Sequence, residues 1–136
     1  MLKSNLLQFI SEIEGEVLSE KDKIKIAEYI FNNSLPAMTL EKILEVVMLF
    51  FNLDKQQIMQ KTRRREIILA RHFFYYVSVK LYNYSLQKAG FMLRQDHSTV
   101  LYATKQVENM IEVYQRERIL LERLKIEMKR FAVKNI

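Results

Sequence analysis

The chain has 136 residues and a formal net charge of +6, from 22 Lys and Arg against 16 Asp and Glu, with 49% hydrophobic residues but only two Gly and one Pro. That length and apolar content suit a single packed core, and the shortage of turn residues predicts helices rather than strands. The absence of Cys and the presence of just two His exclude disulfides, iron–sulfur clusters, thiol catalysis and a zinc site of usual composition, while Gly15 and Gly90 lie too far apart for a P-loop or a Rossmann fingerprint.

No nucleotide, metal or other cofactor is therefore expected. The opening Met1-Leu2-Lys3-Ser4-Asn5 has no apolar signal core, and no stretch approaches the ~18 uncharged apolar residues of a membrane span. A cytoplasmic protein without membrane association is expected.

In chain order, Leu6, Ile10, Ile13 and Val17 recur at helical spacing, and Ile26, Ile30 and Phe31 mark a second helix that ends at Asn32-Asn33-Ser34 before Pro36. Residues 1–38 read as an antiparallel helical pair that packs on the main domain. Thr39 suits the N-cap of a third helix whose apolar stripe is Ile43, Val46, Val47, Phe50 and Phe51, with Asn52 ending it. Asp54 can cap a short helix reaching Ile58 and Met59. The polar run Lys61-Thr62-Arg63-Arg64-Arg65 reads as a basic loop. From Ile67 to Tyr82 a central buried helix is predicted, with Ala70, Phe73, Phe74, Val77 and Leu81 inward and Tyr75, Tyr76 and Tyr82 around them. An aromatic stripe of this kind is assigned to the core rather than to a cofactor.

Ser85 then caps a short helix from Leu86 to about Met92. A turn follows at Leu93-Arg94-Gln95, and Asp96 caps another helix that begins at His97. Two helices joined by a turn of a few residues have the layout of a helix-turn-helix. The last stretch repeats Val107, Met110, Tyr114, Leu121, Leu124, Met128 and Phe131 at steps near three and four, with Glu117 interrupting the seam. A long terminal helix is expected, residues 113–136 forming an extension whose seam is covered preferentially by the N-terminal pair, or else by a second copy or another protein.

The positive charge is uneven. Residues 61–105 carry nine basic and two acidic side chains, a balance of +7, whereas residues 1–60 carry six and nine and residues 106–136 seven and five. Such a bias suits a surface that meets a polyanion, because each neutralised phosphate releases condensed counterions; a solvated basic face is the plainer alternative.

Within that basic third, Lys61-Thr62-Arg63-Arg64-Arg65, Ala70-Arg71-His72, Leu81-Tyr82-Asn83-Tyr84-Ser85-Leu86 and, above all, Asp96-His97-Ser98-Thr99-Val100 occur in an order that resembles the C-terminal DNA-binding domain of the bacterial replication initiator DnaA. The resemblance covers residues 39–112. It implies an all-α, helix-turn-helix domain of the Trp-repressor-like class, here with extra N-terminal helices and a long C-terminal helix, that binds double-stranded DNA. The second helix of the motif would enter the major groove and the basic loop the adjacent minor groove. By position, one or more of Arg63, Arg64 and Arg65 would take the minor-groove role, with Lys61 in the same DNA-binding loop, and Arg71 would hold a phosphate or base edge. Asp96, His97, Ser98 and Thr99 would read the major groove, with Ala103 and Lys105 further along the same helix. Ser85, Leu86, Gln87, Lys88 and Arg94 complete the expected DNA-binding set.

Physical chemistry supports these roles individually. Arginine gains from the deep negative potential of a narrow minor groove. Short polar side chains let a helix end approach base edges, where the Thr99 methyl can also meet a thymine methyl. The amides at Ser85 to Gln87 open a helix toward a phosphate. Val100 and Leu101 are assigned to the core or its edge. Two departures stand out: Leu93-Arg94-Gln95 replaces the two turn glycines usual in the family and is one residue shorter, and His72 replaces the usual Gln. The ATPase region of DnaA has no counterpart, so the chain alone is not expected to initiate replication.

A DNA-binding regulator of replication or transcription, without enzymatic activity, is the first reading. A helical protein–protein adaptor that keeps the fold is the alternative, with a homodimer or partner joined through the C-terminal helix. Catalysis has no constellation to support it, since residues 61–105 hold only Glu66 and Asp96 as acids.

Overall fold

The computed structural model describes residues 35–134, and among them every regular element is helical. The chain divides into two compact units, Met1–Pro36 and Ala37–Ile136. The expected helices between residues 5 and 32 lie outside the described residues.

Helix α1 spans Leu40–Phe50 and begins where Thr39 Oγ1 accepts the Lys42 N–H at 3.2 Å. Its Leu40, Ile43, Leu44, Val46 and Val47 are buried, whereas Phe50 and Phe51 of the predicted stripe are only partly buried against the core. Asn52 ends it in the left-handed conformation, φ 56°, with Leu53 N–H donating to Met48 O at 2.8 Å and Asn52 N–H to Leu49 O at 3.2 Å. This pairing satisfies the carbonyls that a helix end leaves open. Helix α2, Lys55–Met59, opens on a reciprocal capping box: Gln57 N–H donates to Asp54 Oδ1 at 2.7 Å, and Asp54 N–H to Gln57 Oε1 at 2.9 Å.

Helix α3, Arg65–Tyr76, starts inside the expected loop, so Arg65 is its first residue. It does not run straight to Tyr82. Residues Val77–Leu81 form a π turn, in which Tyr82 N–H reaches back to Val77 O at 3.0 Å. The extra residue in that turn carries Ser78 into the core beside Val77. Tyr75, expected at the margin, is buried, and Phe73 and Phe74 beside it are fully enclosed. Asn83, φ 60°, closes the turn, and Tyr84 Oη donates to Met38 O at 2.7 Å, fastening this corner to the chain ahead of α1.

Helix α4, Leu86–Met92, follows with the expected boundaries, and helix α5, His97–Val113, begins where expected. The seam from Val107 to Phe131 is not one helix. The chain turns at Tyr114, φ −112° and ψ 122°, and α6 runs from Gln115 to Lys134. That turn lays Leu121, Leu124 and Met128, all buried, into the same core, with α6 packed on α1 and α5. Thus α1 covers this part of the seam from within the chain. Burial of a large apolar side chain contributes about 1.5–3 kcal/mol, so three such side chains outweigh the interruption of one helix. Tyr114 itself stays exposed.

The most extensive contact in the unit is between α3 and α5. Through it the hydrophobic core fixes the helix-turn-helix on the same scaffold that carries the basic loop.

Candidate nucleic-acid interface

The turn between α4 and α5 is held by three backbone bonds: Gln95 N–H donates to Gly90 O at 2.9 Å, Leu93 N–H to the same oxygen at 3.1 Å and Arg94 N–H to Phe91 O at 3.2 Å. They require a left-handed residue, and Arg94 supplies it at φ 56°. The turn is tight because α4 approaches it closely at Gly90, where a Cβ would stand 2.4 Å from Gln95 O and 3.0 Å from Val100 Cγ2.

Asp96 then caps α5, its Oδ1 accepting the Thr99 N–H at 2.8 Å. That hydrogen bond holds the Asp96 carboxyl below the usual carboxylate range, so it is anionic at neutral pH. His97, Ser98 and Thr99 are exposed around the cap and Lys105 is exposed two turns on. Val100, Ala103, Thr104 and Val107 form the buried stripe of α5. Ala103, expected to face DNA, is fully buried and serves the α3–α5 contact instead. Conversely, Leu101 (39% exposed) and Tyr102 (60% exposed) face outward. The sequence reading placed Leu101 in the core or at its edge and left Tyr102 without a role. The steps of three and four from Val100 to Val107 contained the signal, since they send residues 101 and 102 to the open face.

The ring of Tyr102 meets His72 edge to face, centroids 6.4 Å apart. This contact sets the second turn of α5 beside the second turn of α3, whose N-terminus carries the basic loop. Burial and the neighbouring Arg71 charge both lower the His72 pKa, leaving the imidazole neutral in ordinary buffers.

The loop between α2 and α3 is short and held at its exit. Thr62 Oγ1 accepts the Arg64 N–H at 3.1 Å, and Arg64 O accepts the Ile68 N–H at 3.1 Å. Lys61, Arg63, Arg64 and Arg65 are all exposed. Arg64 folds back onto Glu66 at 2.9 Å. The Glu66 carboxyl lies below its usual range through its own backbone N–H and the Arg64 side chain. Arg71 donates through Nε to Ile58 O at 2.7 Å and through a terminal nitrogen to Gln60 O, so two of its three guanidinium nitrogens engage the chain's own backbone.

At the entry to α4, Ser85 Oγ accepts the Lys88 N–H at 3.1 Å. Gln87 and Lys88 are exposed, whereas the Leu86 side chain is half-buried against the core, leaving its backbone as the only part that a phosphate could reach. Lys80 is paired with Glu108 at 3.0 Å, which removes it from the free positive surface. No helix among the described residues is long and apolar enough to cross a membrane.

Comparison with known proteins gives the same picture from an independent direction. The family described as bacterial dnaA protein helix-turn-helix matches residues 40–107. The chromosomal replication initiator protein DnaA of Thermodesulfovibrio yellowstonii is 39% identical over 121 residues, covering 79% of this chain and 27% of that protein. Its counterpart in Bacteroides fragilis is 35% identical over 100 residues, 73% of this chain and 21% of the relative. For that of Bacteroides thetaiotaomicron the identity is 29% over 126 residues, 82% and 27%. The chain spans about a quarter of the length of the curated relatives it matches. The chain belongs to the bacterial DnaA helix-turn-helix family, and residues 40–107 are its DNA-binding domain.

Proposed function

We propose that the chain binds double-stranded DNA with sequence preference and acts as a regulator of replication or transcription without hydrolysing nucleotide. The first turns of α5 enter the major groove, where His97, Ser98 and Thr99 meet base edges while Asp96 holds the helix end in shape. The loop of Lys61, Arg63 and Arg64, with Arg65 at the start of α3, reaches the adjacent minor groove. Ser85, Gln87, Lys88, Arg94 and Lys105 lie along the phosphates. Residues 39–112 carry this activity, with α6 as a C-terminal addition.

The observation that carries the reading is the helix end capped by Asp96, where three polar side chains are exposed together behind a turn closed by a cation. Nothing in core packing requires that set. A helix N-terminus dressed with short hydrogen-bonding groups can present them to base edges, and its partial positive charge suits the surrounding phosphates.

Titration of duplex DNA at several salt concentrations tests the reading. About five or six phosphate contacts give a slope of log K against log salt of about −4 to −6; binding that stays flat from low to moderate salt refutes it. Replacing Arg63, Arg64 and Arg65 with Ala weakens binding to all sequences, whereas Thr99→Ala shifts sequence preference. Selection from a random duplex pool then identifies the target: a TTATNCACA-like element marks close kinship with the initiators, and a palindrome marks a dimeric regulator.

A further inference from the structure

The inward side of α5 is set by Val100, Ala103, Thr104 and Val107, all buried. With successive residues about 100° apart around a helix, the line opposite that stripe passes close to Ser98 and within about 30° of Tyr102 and Lys105, while Thr99 lies about 90° away on the flank. Tyr102 is 60% exposed and so stands nearer the middle of the outward face than Thr99 does. Along the axis it lies about 6 Å beyond Ser98, between the short polar groups of the cap and the exposed Lys105.

A helix that meets the duplex by its N-terminal end carries each later turn further from the base edges, so a short hydroxyl in the second turn would fall away from them. Tyrosine places its hydroxyl at the far end of a rigid ring and both donates and accepts. The ring is also braced: it meets His72 of α3 edge to face, centroids 6.4 Å apart and planes at 83°. With only two side-chain torsions to restrain, that contact gives the hydroxyl a defined direction before DNA arrives.

We propose that Tyr102 is a specificity residue: its hydroxyl hydrogen-bonds a base edge in the major groove beyond those met by Ser98 and Thr99, and His72 holds the ring for that contact. An advance of about 6 Å corresponds to one or two base-pair steps of about 3.4 Å, so the base lies at one edge of the recognised element. The proposal rests on the reading that α5 enters the major groove.

The test is selection from a random duplex pool with the full-length wild type and Tyr102→Phe, followed by anisotropy on the enriched element and on every single base-pair change within it. Phenylalanine keeps the ring and its contact with His72 and removes the hydroxyl alone. Wild type is expected to discriminate about tenfold at one or two adjacent edge positions, and Tyr102→Phe less than about twofold there, with the other positions unchanged. His72→Ala lowers discrimination at the same positions and adds nothing further in the Tyr102→Phe background, as coupled residues do. Asn109→Ala, about two turns beyond Tyr102 on the same face, leaves every position as in wild type.

Identical discrimination by wild type and Tyr102→Phe makes the ring a packing element and overturns the proposal alone. A loss that is the same for every base-pair change places the hydroxyl on a phosphate and overturns it too. Wild-type protein that enriches no element refutes the major-groove reading and the proposal with it.

Discussion

Replacing Gly90 with Ala separates a helix-turn-helix that depends on close backbone approach from one held only by its caps. Gly90 does not have a positive φ, so its conformation suits alanine, and the exchange by itself gains about 1 kcal/mol of helix propensity. The space does not suit it. The new methyl would stand 2.4 Å from Gln95 O and 3.0 Å from Val100 Cγ2, far inside ordinary contact, and the nearer atom is backbone that cannot rotate away. Relief requires the turn to retreat, stretching the 2.9 Å bond from Gln95 N–H to Gly90 O. Overpacking costs about 1–3 kcal/mol and a weakened backbone bond about 1 kcal/mol. After the propensity gain, about 1–3 kcal/mol of destabilisation remains, which lowers Tm by roughly 5–20 °C in a domain of this size.

DNA affinity should fall further than stability alone explains, because Asp96 follows Gln95 directly and carries the end of α5 with it. Binding geometry that moves by more than ~0.5 Å loses its contacts, and a loss of about tenfold is expected at a temperature where the variant is still folded. Circular dichroism melting and fluorescence anisotropy on a labelled duplex measure the two effects, with Asn109→Ala on an exposed position of α5 away from the cap as the neutral control. A Gly90→Ala protein as stable as wild type, with unchanged affinity, would refute the reasoning.

Three other substitutions test separate parts of the site. Arg94→Gly relieves a left-handed side chain, φ 56°, and should stabilise the fold by about 0.5–1 kcal/mol while weakening DNA binding a few fold through the lost charge; melting and anisotropy must move in opposite directions. Glu66→Gln frees Arg64 from its 2.9 Å ion pair and removes an acid beside the loop, so duplex binding should tighten about twofold to fivefold at low salt and converge with wild type at high salt. His72 has its pKa lowered by burial first and by Arg71 second, so the unfolded chain binds the proton more readily. Its contribution to stability is complete above the ordinary His value of about 6.5 and is lost as pH falls toward the lower folded value. His72→Gln should flatten denaturant stability between about pH 7 and 5, and an undiminished slope would assign that dependence to other groups.

Much of this architecture was legible because it depends on neighbours in sequence. Thr39, Asp54, Ser85 and Asp96 each cap a helix through the backbone N–H three residues on, a local geometry that residue type announces. The breaks that depend on distant packing were not legible. Nothing at Tyr114 resembles a helix stop, since it has neither Gly nor Pro beside it; the chain turns there because Leu121, Leu124 and Met128 find α1. The π turn after Tyr76 likewise answers to the core around Val77 and Ser78 rather than to any local breaker. In the site, exposure follows one-dimensional position only in part. The exposed cap at residues 96–99 follows from helix geometry, and so does the burial of Ala103 three residues after Val100, whereas the backbone bonds of Arg71 to the end of α2 answer to a contact that no spacing rule contains.

The two glycines acquire a sharper meaning in this light. Three described residues hold the left-handed conformation that glycine would ordinarily take, and they are Asn52, Asn83 and Arg94. Asparagine tolerates that region through its short polar side chain, and both asparagines lie at the ends of helices remote in sequence from the DNA-reading cap. Arginine has no such tolerance and costs about 1 kcal/mol there. Its place is the turn immediately before the Asp96 cap, where a fixed cation adds to the field that draws a phosphate. Glycine is kept at Gly90, where the constraint is volume and no other residue fits. A turn built from two glycines would leave its shape to the surrounding contacts; this one is shaped by one close approach and one strained cation, so stability and DNA affinity pull against each other at Arg94 and fall together at Gly90.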